Sequence, residues 1–408
     1  MQLDNGSQNL IDIFEKEGFT AYAVGGCVRD TLMGRPVSDY DIAVPCTPDV
    51  TENILSKNDI RYIETGLKHG TVTAIINSQP YEITTFRTES GYSDNRRPDT
   101  VTFVTNITDD LARRDFTVNA MAYNPRHGLV DEFGGRHDLK SKTLRTVGDA
   151  DTRFGEDALR ILRALRFAST LEFEVEYKTA LSAIKNAPSL LNVAPERITV
   201  ELQKLVNGNA FIPVLNRFSP ALSVILPSVL KISKKQALDT LLILMQKLPH
   251  SLEFFLSACA IVAYGEKSEI HASDSEIFGH TTPSNQLKNK VKSLIKGFYF
   301  ELIPNEVCIK KLLSAFEPET LNDIITLKLA FTADTASLLQ TRRILNHIVI
   351  DRQPYLVSHL AINGADVIAL GFEGKRVGEL LDIALNAVIN NPNLNTKPYL
   401  IDFLKKLN

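Results

Sequence analysis

The chain has 408 residues, of which 44% are hydrophobic and 23% charged, and its formal net charge is −3. That length exceeds one ordinary core and predicts about two to four domains of a soluble globular protein. The near-neutral balance excludes nucleic-acid binding driven by bulk charge alone, so any basic surface must be local. Met1 to Asn9 has neither a basic start nor an apolar run, which argues against a secretory signal. No stretch approaches the roughly 20 apolar residues of a membrane span. Cys27, Cys46, Cys259 and Cys308 are scattered without a CxxC pair. This predicts a reducing cytoplasm rather than a disulfide scaffold or zinc site.

In chain order, helical patterns fall at about 7–17, 27–33, 48–57 and 108–114. Between them lie short β-branched runs at Tyr22–Val24, Tyr40–Val44, Thr71–Ile76, Tyr81–Phe86 and Val101–Val104. Gln79-Pro80 predicts a hairpin between the third and fourth runs. After residue 150 the pattern turns helical, with predicted helices at 156–170, 196–206, 236–247, 284–296, 306–315, 335–349 and 377–390. Prolines at 195, 213, 220, 227, 249, 283 and 304 punctuate them. The expected fold class is α+β: an N-terminal α/β head with a mixed sheet, then an elongated all-helical neck, body and tail. Expected boundaries are 1–148, 149–206, 207–300 and 301–408.

Val24-Gly25-Gly26-Cys27-Val28-Arg29-Asp30 leaves a strand and enters a helix. Glycines let the backbone approach an anion, helix N-terminal N–H groups donate to it, and Arg29 can add a charged contact to phosphate. Asp39 and Asp41, two apart at the start of an extended run, leave one face of a strand. Glu82 alternates with Ile83 in the following hairpin. Carboxylates on neighbouring strands repel one another unless cations sit among them, and hard oxygen ligands suit Mg²⁺. Two such ions would activate an attacking hydroxyl and neutralise a triphosphate.

The order G-G-x-V-R-D, D-x-D, R-R-D-F-T-x-N-A (Arg113–Ala120) and E-D-x-x-R (Glu156–Arg160) resembles the bacterial and eukaryotic class of tRNA nucleotidyltransferases, the CCA-adding enzymes of the polymerase-beta superfamily. The likeness is dense over 20–206. It includes Phe86-Arg87-Thr88-Glu89, Tyr92, Asp94, Arg97-Pro98-Asp99 and Pro195-Glu196-Arg197-Ile198, and it resumes more weakly at Ile362–Asp366 and Gly371–Leu381. The resemblance implies that Gly26 and Arg29 contact the nucleotide. It makes Asp39 and Asp41 the metal ligands, with Glu82 as a third acid. Arg114, Asp115 and Asn119, beside Arg113, correspond to the segment around the ribose and phosphates. It further implies addition of C, C and A to the 3′ end of tRNA from CTP and ATP, with Mg²⁺ and pyrophosphate release. The polar segment from Thr88 to Thr100 matches a family loop that moves as the pocket changes from C to A, and its full length favours complete CCA addition.

Asp157 and Arg160, three apart, are expected on one helical face, and Arg163 and Arg166 continue the ridge with a drift of about 60° per step. A fixed carboxylate accepts from an exocyclic amine, and a guanidinium donates to a ring nitrogen. Cytosine and adenine both present an amine beside an acceptor, whereas uracil and guanine reverse the order. One Asp/Arg pair can therefore accept C and A and reject U and G.

RNA contact is expected from the helical half. Lys288, Lys292 and Lys296, with Lys290 beside them, lie in a window from Thr281 to Phe300 that holds no acidic residue. Their i,i+4 spacing suits phosphate tracking or a solvated face. Lys375-Arg376 is a second candidate, and Lys231, Lys234 and Lys235 a weaker one. His137-Asp138, read as part of a loop linking strand to helix, has no downstream partner for a metal hydrolase, and Cys27 reads as a packing residue. The alternatives are a bacterial poly(A) polymerase, an A-adding or CC-adding specialist, or a non-catalytic RNA-binding protein on the same scaffold. Residues 10–24 hold only Lys16 as a cation, against the basic stretch expected of the polymerase. Retention of all three carboxylates argues against the non-catalytic reading.

Overall fold

The computed structural model describes residues 1–66, 70–91, 99–232, 235–265, 272–333 and 335–407. Tyr92, Asp94, Arg97, Pro98, Lys234, the side chain of Lys235 and most of the polar segment after Gly91 lie outside the described residues. The chain divides into two compact units, Met1–Ser233 with Gly279–Thr282 and Lys234–Phe278 with Pro283–Asn408.

The first unit opens with α1 (Asn5–Lys16), where the Asp4 carboxylate caps the helix by accepting from Ser7 N–H at 3.0 Å. Strands β1 (Tyr22–Val24) and β2 (Asp41–Val44) flank α2 (Gly26–Leu32). After α3 (Pro48–Lys57) come β3 (Arg61–Gly66), β4 (Thr71–Ile76) and β5 (Gln79–Thr85). A separate ribbon pairs β6 (Arg87–Ser90) with β7 (Thr100–Phe103), and α4 (Ile107–Ala112) follows it. With β8 (Ala122–Asn124) and β9 (Gly128–Val130), the sheet order is β3-β4-β5-β2-β1-β8-β9. Within this sheet, among the described residues, β2/β5 is the parallel pair and the others are antiparallel, so the sheet is mixed, as expected.

That parallel pair positions the acids. Its register sets Asp41 opposite Glu82 and Ile42 opposite Ile83. Ile42 and Ile83 enter the core formed with Leu10, Phe14, Val72 and Ala74 on one side of the sheet. Alternation therefore turns Asp41 and Glu82 to the other side, where Ala43 packs with Leu111 and Phe86. The β4–β5 turn differs from the expected one. Ile76 pairs with Gln79, so the turn residues are Asn77 and Ser78, at φ 51° and 65°. Two consecutive positive φ values match the twist of a tight hairpin, and Asn tolerates them better than the predicted Gln-Pro.

The helix expected at 156–170 is α7 (Leu159–Leu171), starting three residues later than predicted, and a separate α6 (Ala150–Glu156) precedes it after the short α5 (Gly135–Lys140). Asp157 between them is extended (φ −138°, ψ 105°). Its side chain accepts from Leu159 N–H at 3.0 Å, a local bond that competes with helix continuation and starts the second helix. The His137-Asp138 pair belongs to α5 rather than to a loop, and buried Asp138 accepts from the Thr117 hydroxyl at 2.7 Å. Helix α8 (Tyr177–Lys185) follows, and α9 (Pro195–Val206), with its proline in the first turn, packs along α7.

The second unit is helical. Lys235–Met245, Asn285–Phe298, Glu306–Leu312, Ala336–Ile350 and Lys375–Asn390 match predicted helices. Leu252–Tyr264 and Pro318–Phe331 were not predicted. The first is buried at nearly every position from Leu252 to Ile261, so no polar face marks its period. Among the described residues no helix is long and apolar enough to cross a membrane.

Candidate active site

One cavity of about 680 Å³ in the first unit is nucleotide-sized and gathers most of the expected site residues. Gly26, Arg29, Asp39, Asp41, Arg114, Asp115, Asn119, Asp157, Arg160, Arg163 and Arg166 all line it. Glu82 does not line it, although the register places it beside Asp41 on the neighbouring strand. Seven arginines face five aspartates around the cavity, leaving a net positive lining suited to a polyanion.

The turn into α2 forms the floor. Gly25 has φ +75°, a conformation that favours glycine, and a Cβ there would stand 2.7 Å from Arg114 Nη1 and press that guanidinium aside. Asp41 is half-buried and Asp39 exposed. Burial pushes the Asp41 carboxyl up; Arg114 opposes this, while Glu82 and Asp39 add to it. Among the described residues no three His, Cys, Asp or Glu side chains form a complete metal cage. Two carboxylates at the edge of a phosphate-sized space nevertheless fit Mg²⁺, which takes one or two protein carboxylates and completes its shell with phosphate oxygens and water.

The cations are held by a linked set of acids. Asp110, on α4, is nearly solvent-free; its Oδ1 accepts from Arg113 at 2.6 and 3.0 Å and its Oδ2 from Arg114 at 3.2 Å. Burial pushes the Asp110 carboxyl up, but Arg114 and Arg113 outweigh it and hold it below the usual range. Glu89 on β6 joins this group through Arg87 at 2.8 Å and Arg113 at 3.1 Å. Deeper in, Asp115 accepts from Arg163 at 2.6 and 2.9 Å and from Asn119 at 3.1 Å. Asn119 Oδ1 in turn accepts from Arg29 at 2.6 Å. Despite burial, which raises it, the Asp115 carboxyl is drawn down to about 2 by Arg163, Asn119 and Arg160.

Asp157 and Arg160 share the cavity without being helical neighbours. The Asp157 carboxylate is fixed by Leu159 N–H and by Arg197, 3.1 Å away on α9. Arg160 is anchored by Glu156 and by the carbonyls of Arg153 and Arg113, each at 3.2 Å. Arg166 Nε lies 2.6 Å from Glu201 as an ion pair that is not aligned as a hydrogen bond.

Sequence reasoning missed Asp30, Ser38, Phe167 and Arg197 in the lining. Phe167 was legible: it follows Arg163 by four residues and Arg160 by seven, which places it on the cationic face of α7. Arg197 lies in the Pro195–Ile198 motif with no local sign of a site role, and its contact with Asp157 depends on how α9 packs. The Cys27 thiol, buried and pushed up to about 11 by that burial, donates to Val24 C=O, consistent with packing. The lysine face is altered by neighbours distant in sequence. Lys292 pairs with Asp274 at 2.7 Å and Lys290 with Asp323 at 2.5 Å, although the window around them holds no acid.

Two family models match the chain: Poly A polymerase head domain over residues 21–145, and Probable RNA and SrmB-binding site of polymerase A over residues 172–218. A CCA-adding enzyme of Lactiplantibacillus plantarum is 35% identical over 409 residues, covering 97% of this chain and 94% of the relative. A CCA-adding enzyme of Lactobacillus delbrueckii subsp. bulgaricus is 49% identical over 199 residues, 49% of each chain. Among solved structures, the Bacillus stearothermophilus CCA-adding enzyme in complex with CTP superposes with a TM-score of 0.81 at 30% identity, covering 100% of this chain and 98% of that one.

Proposed function

This chain belongs to the CCA-adding enzyme family, and from that premise we propose that it adds C, C and A in turn to the 3′ end of tRNA, using CTP and ATP and releasing pyrophosphate. The observation that carries the proposal is one net-basic cavity in which Asp39 and Asp41 meet the arginines of α7. Asp39 and Asp41 would hold Mg²⁺, with Glu82 alongside. When bound, that ion lowers the pKa of the attacking tRNA hydroxyl and neutralises triphosphate charge. Arg29, Arg114 and Arg163 lie where they can bind the phosphate chain, and Gly26 lets it approach the backbone.

Asp157 keeps lone pairs beyond the two contacts that fix it, so it can accept from the amine of C or A. Arg160 is the matching donor in the proposal, and Glu156 orients it. The helical second unit supplies tRNA contacts, with Lys288, Lys296 and Lys375 as candidates, and recognition is of shape and the single-stranded end. The same proposal places the enzyme in the reducing cytoplasm, where Cys27, Cys46 and Cys259 remain buried thiols.

The test supplies tRNA lacking its terminal CCA with each labelled nucleotide. Two CMP and then one AMP are expected, with no extension by UTP or GTP. ATP addition without limit would instead establish a poly(A) polymerase, arrest after CC or use of ATP alone a specialist, and no incorporation a binding protein. Asp157→Ala is expected to lower discrimination against UTP about 10- to 100-fold by removing the fixed acceptor. Its tRNA affinity should stay within about twofold of the parent. Unchanged discrimination in the variant would remove Asp157 from base selection.

A further inference from the structure

The least expected residue of the cavity wall is Phe167, 6% exposed, on the arginine face of α7. Three guanidinium groups from two helices converge on its ring. Arg166 lies 3.8 Å from the centroid, Arg29 5.2 Å and Arg163 5.4 Å. All three fall within the range over which a ring's negative face attracts a cation. The ring meets Phe116 edge to face at 5.7 Å and 79°, so it is held on the side of the next residue after Asp115. Each arginine is also tied at its polar end, Arg163 to Asp115, Arg29 to Asp30 at 2.7 and 2.9 Å and to Asn119, and Arg166 to Glu201.

Like charges repel when gathered around one spot, and acids alone would draw these three apart toward three different partners. A shared aromatic ring supplies an attractive partner common to all of them without adding negative charge to the cavity. An acid in that place would compete directly with a phosphate, whereas a ring does not. We infer that Phe167 is a positioning residue for the nucleotide's phosphate chain: its ring gathers Arg29, Arg163 and Arg166 into one preorganised cationic wall. The inference rests on reading this cavity as the nucleotide site. It adds that phosphate affinity depends on the electron density of one phenyl ring.

The test replaces Phe167 in the full-length protein with mono-, di- and trifluorophenylalanine, which drain the ring's negative face while changing its volume little. Phe167→Leu serves as the variant without a ring. Binding of CTP and of cytidine is measured beside KM and kcat for CTP incorporation, and thermal melting reports folding. CTP affinity should fall stepwise with fluorine number, to a total of roughly tenfold in the trifluoro protein and in Phe167→Leu. The rise should appear in KM more than in kcat, and cytidine affinity should not move, because cytidine has no phosphates for the wall to hold. A flat fluorination series, or equal losses for cytidine and CTP, would overturn the inference and leave Phe167 as packing alone. Failure of the unmodified protein to bind CTP at all would overturn the reading of the cavity itself, and the inference with it.

Discussion

Asp41→Asn should lower nucleotide incorporation by about a thousandfold or more, because on the proposed reading it removes a carboxylate that would hold the cation beside the triphosphate, and several kcal/mol of transition-state stabilisation would go with it. The same substitution should leave the folded protein as stable as before, or more so, at neutral pH. Burial raises the Asp41 carboxyl above its ordinary 3.8, and Glu82 and Asp39 push it further. A group raised on folding contributes stability below the unfolded value, and that contribution disappears as pH climbs through the folded one. At pH 7 the ionised carboxylate is therefore a burden that the neutral amide lifts. Loss of activity with an unchanged or higher melting temperature, and with tRNA binding intact, is the expected combination. Retained activity would remove Asp41 from the chemistry. A drop of several degrees in melting would show that its carboxylate is structural.

Asp115→Ala should behave in the opposite way, costing stability as well as activity. Asp115 holds Arg163 directly and, by way of Asn119, one side of Arg29, whose other side is paired with Asp30. Its removal leaves a guanidinium without its partner, and about 3 kcal/mol of stability should be lost. That is the low end for breaking a buried pair, because Arg163 keeps 34% of its side chain in solvent. The Asp115 carboxyl lies at about 2 against an ordinary 3.8. Its contribution is thus fully present above the unfolded value and lost as pH falls through about 2. In that window the unfolded chain binds more protons, so parent stability rises with pH. Urea denaturation from pH 2 to 4 should show a shallower rise in the variant. A variant as stable as the parent and with the parent's slope would mean that Arg163 finds another partner without cost.

Comparison of the two aspartates shows why residue type alone does not disclose role. Asp41 and Asp115 are both half- or fully buried carboxylates beside arginines, yet one is pushed up and the other down. Asp41 shares its side of the sheet with two further acids, while Asp115 has Arg163 in direct contact and Arg160 nearby. The pairing of strands and helices decides which charges surround each.

The amino-acid sequence by itself determined the order of the cavity's parts and the kinds of charged group that line it. The glycine turn, the D-x-D acids and the arginine ridge are local patterns, and their spacing follows from strand and helix periods alone. The same periods revealed the amphipathic helices and concealed Leu252–Tyr264, which is buried on nearly every side. Helical period also concealed that Asp157 leaves the helix, where a local side-chain bond to Leu159 N–H competes with the helical one. Only tertiary packing of α9 on α7 brought Arg197 to Asp157, and helices distant in sequence brought Asp274 and Asp323 to the lysines of Asn285–Phe298. The gathering of three arginines on Phe167 belongs to the same class. Period encodes which face a residue occupies on its own element, but a charge's partners come from other elements, and chain folding alone sets those distances.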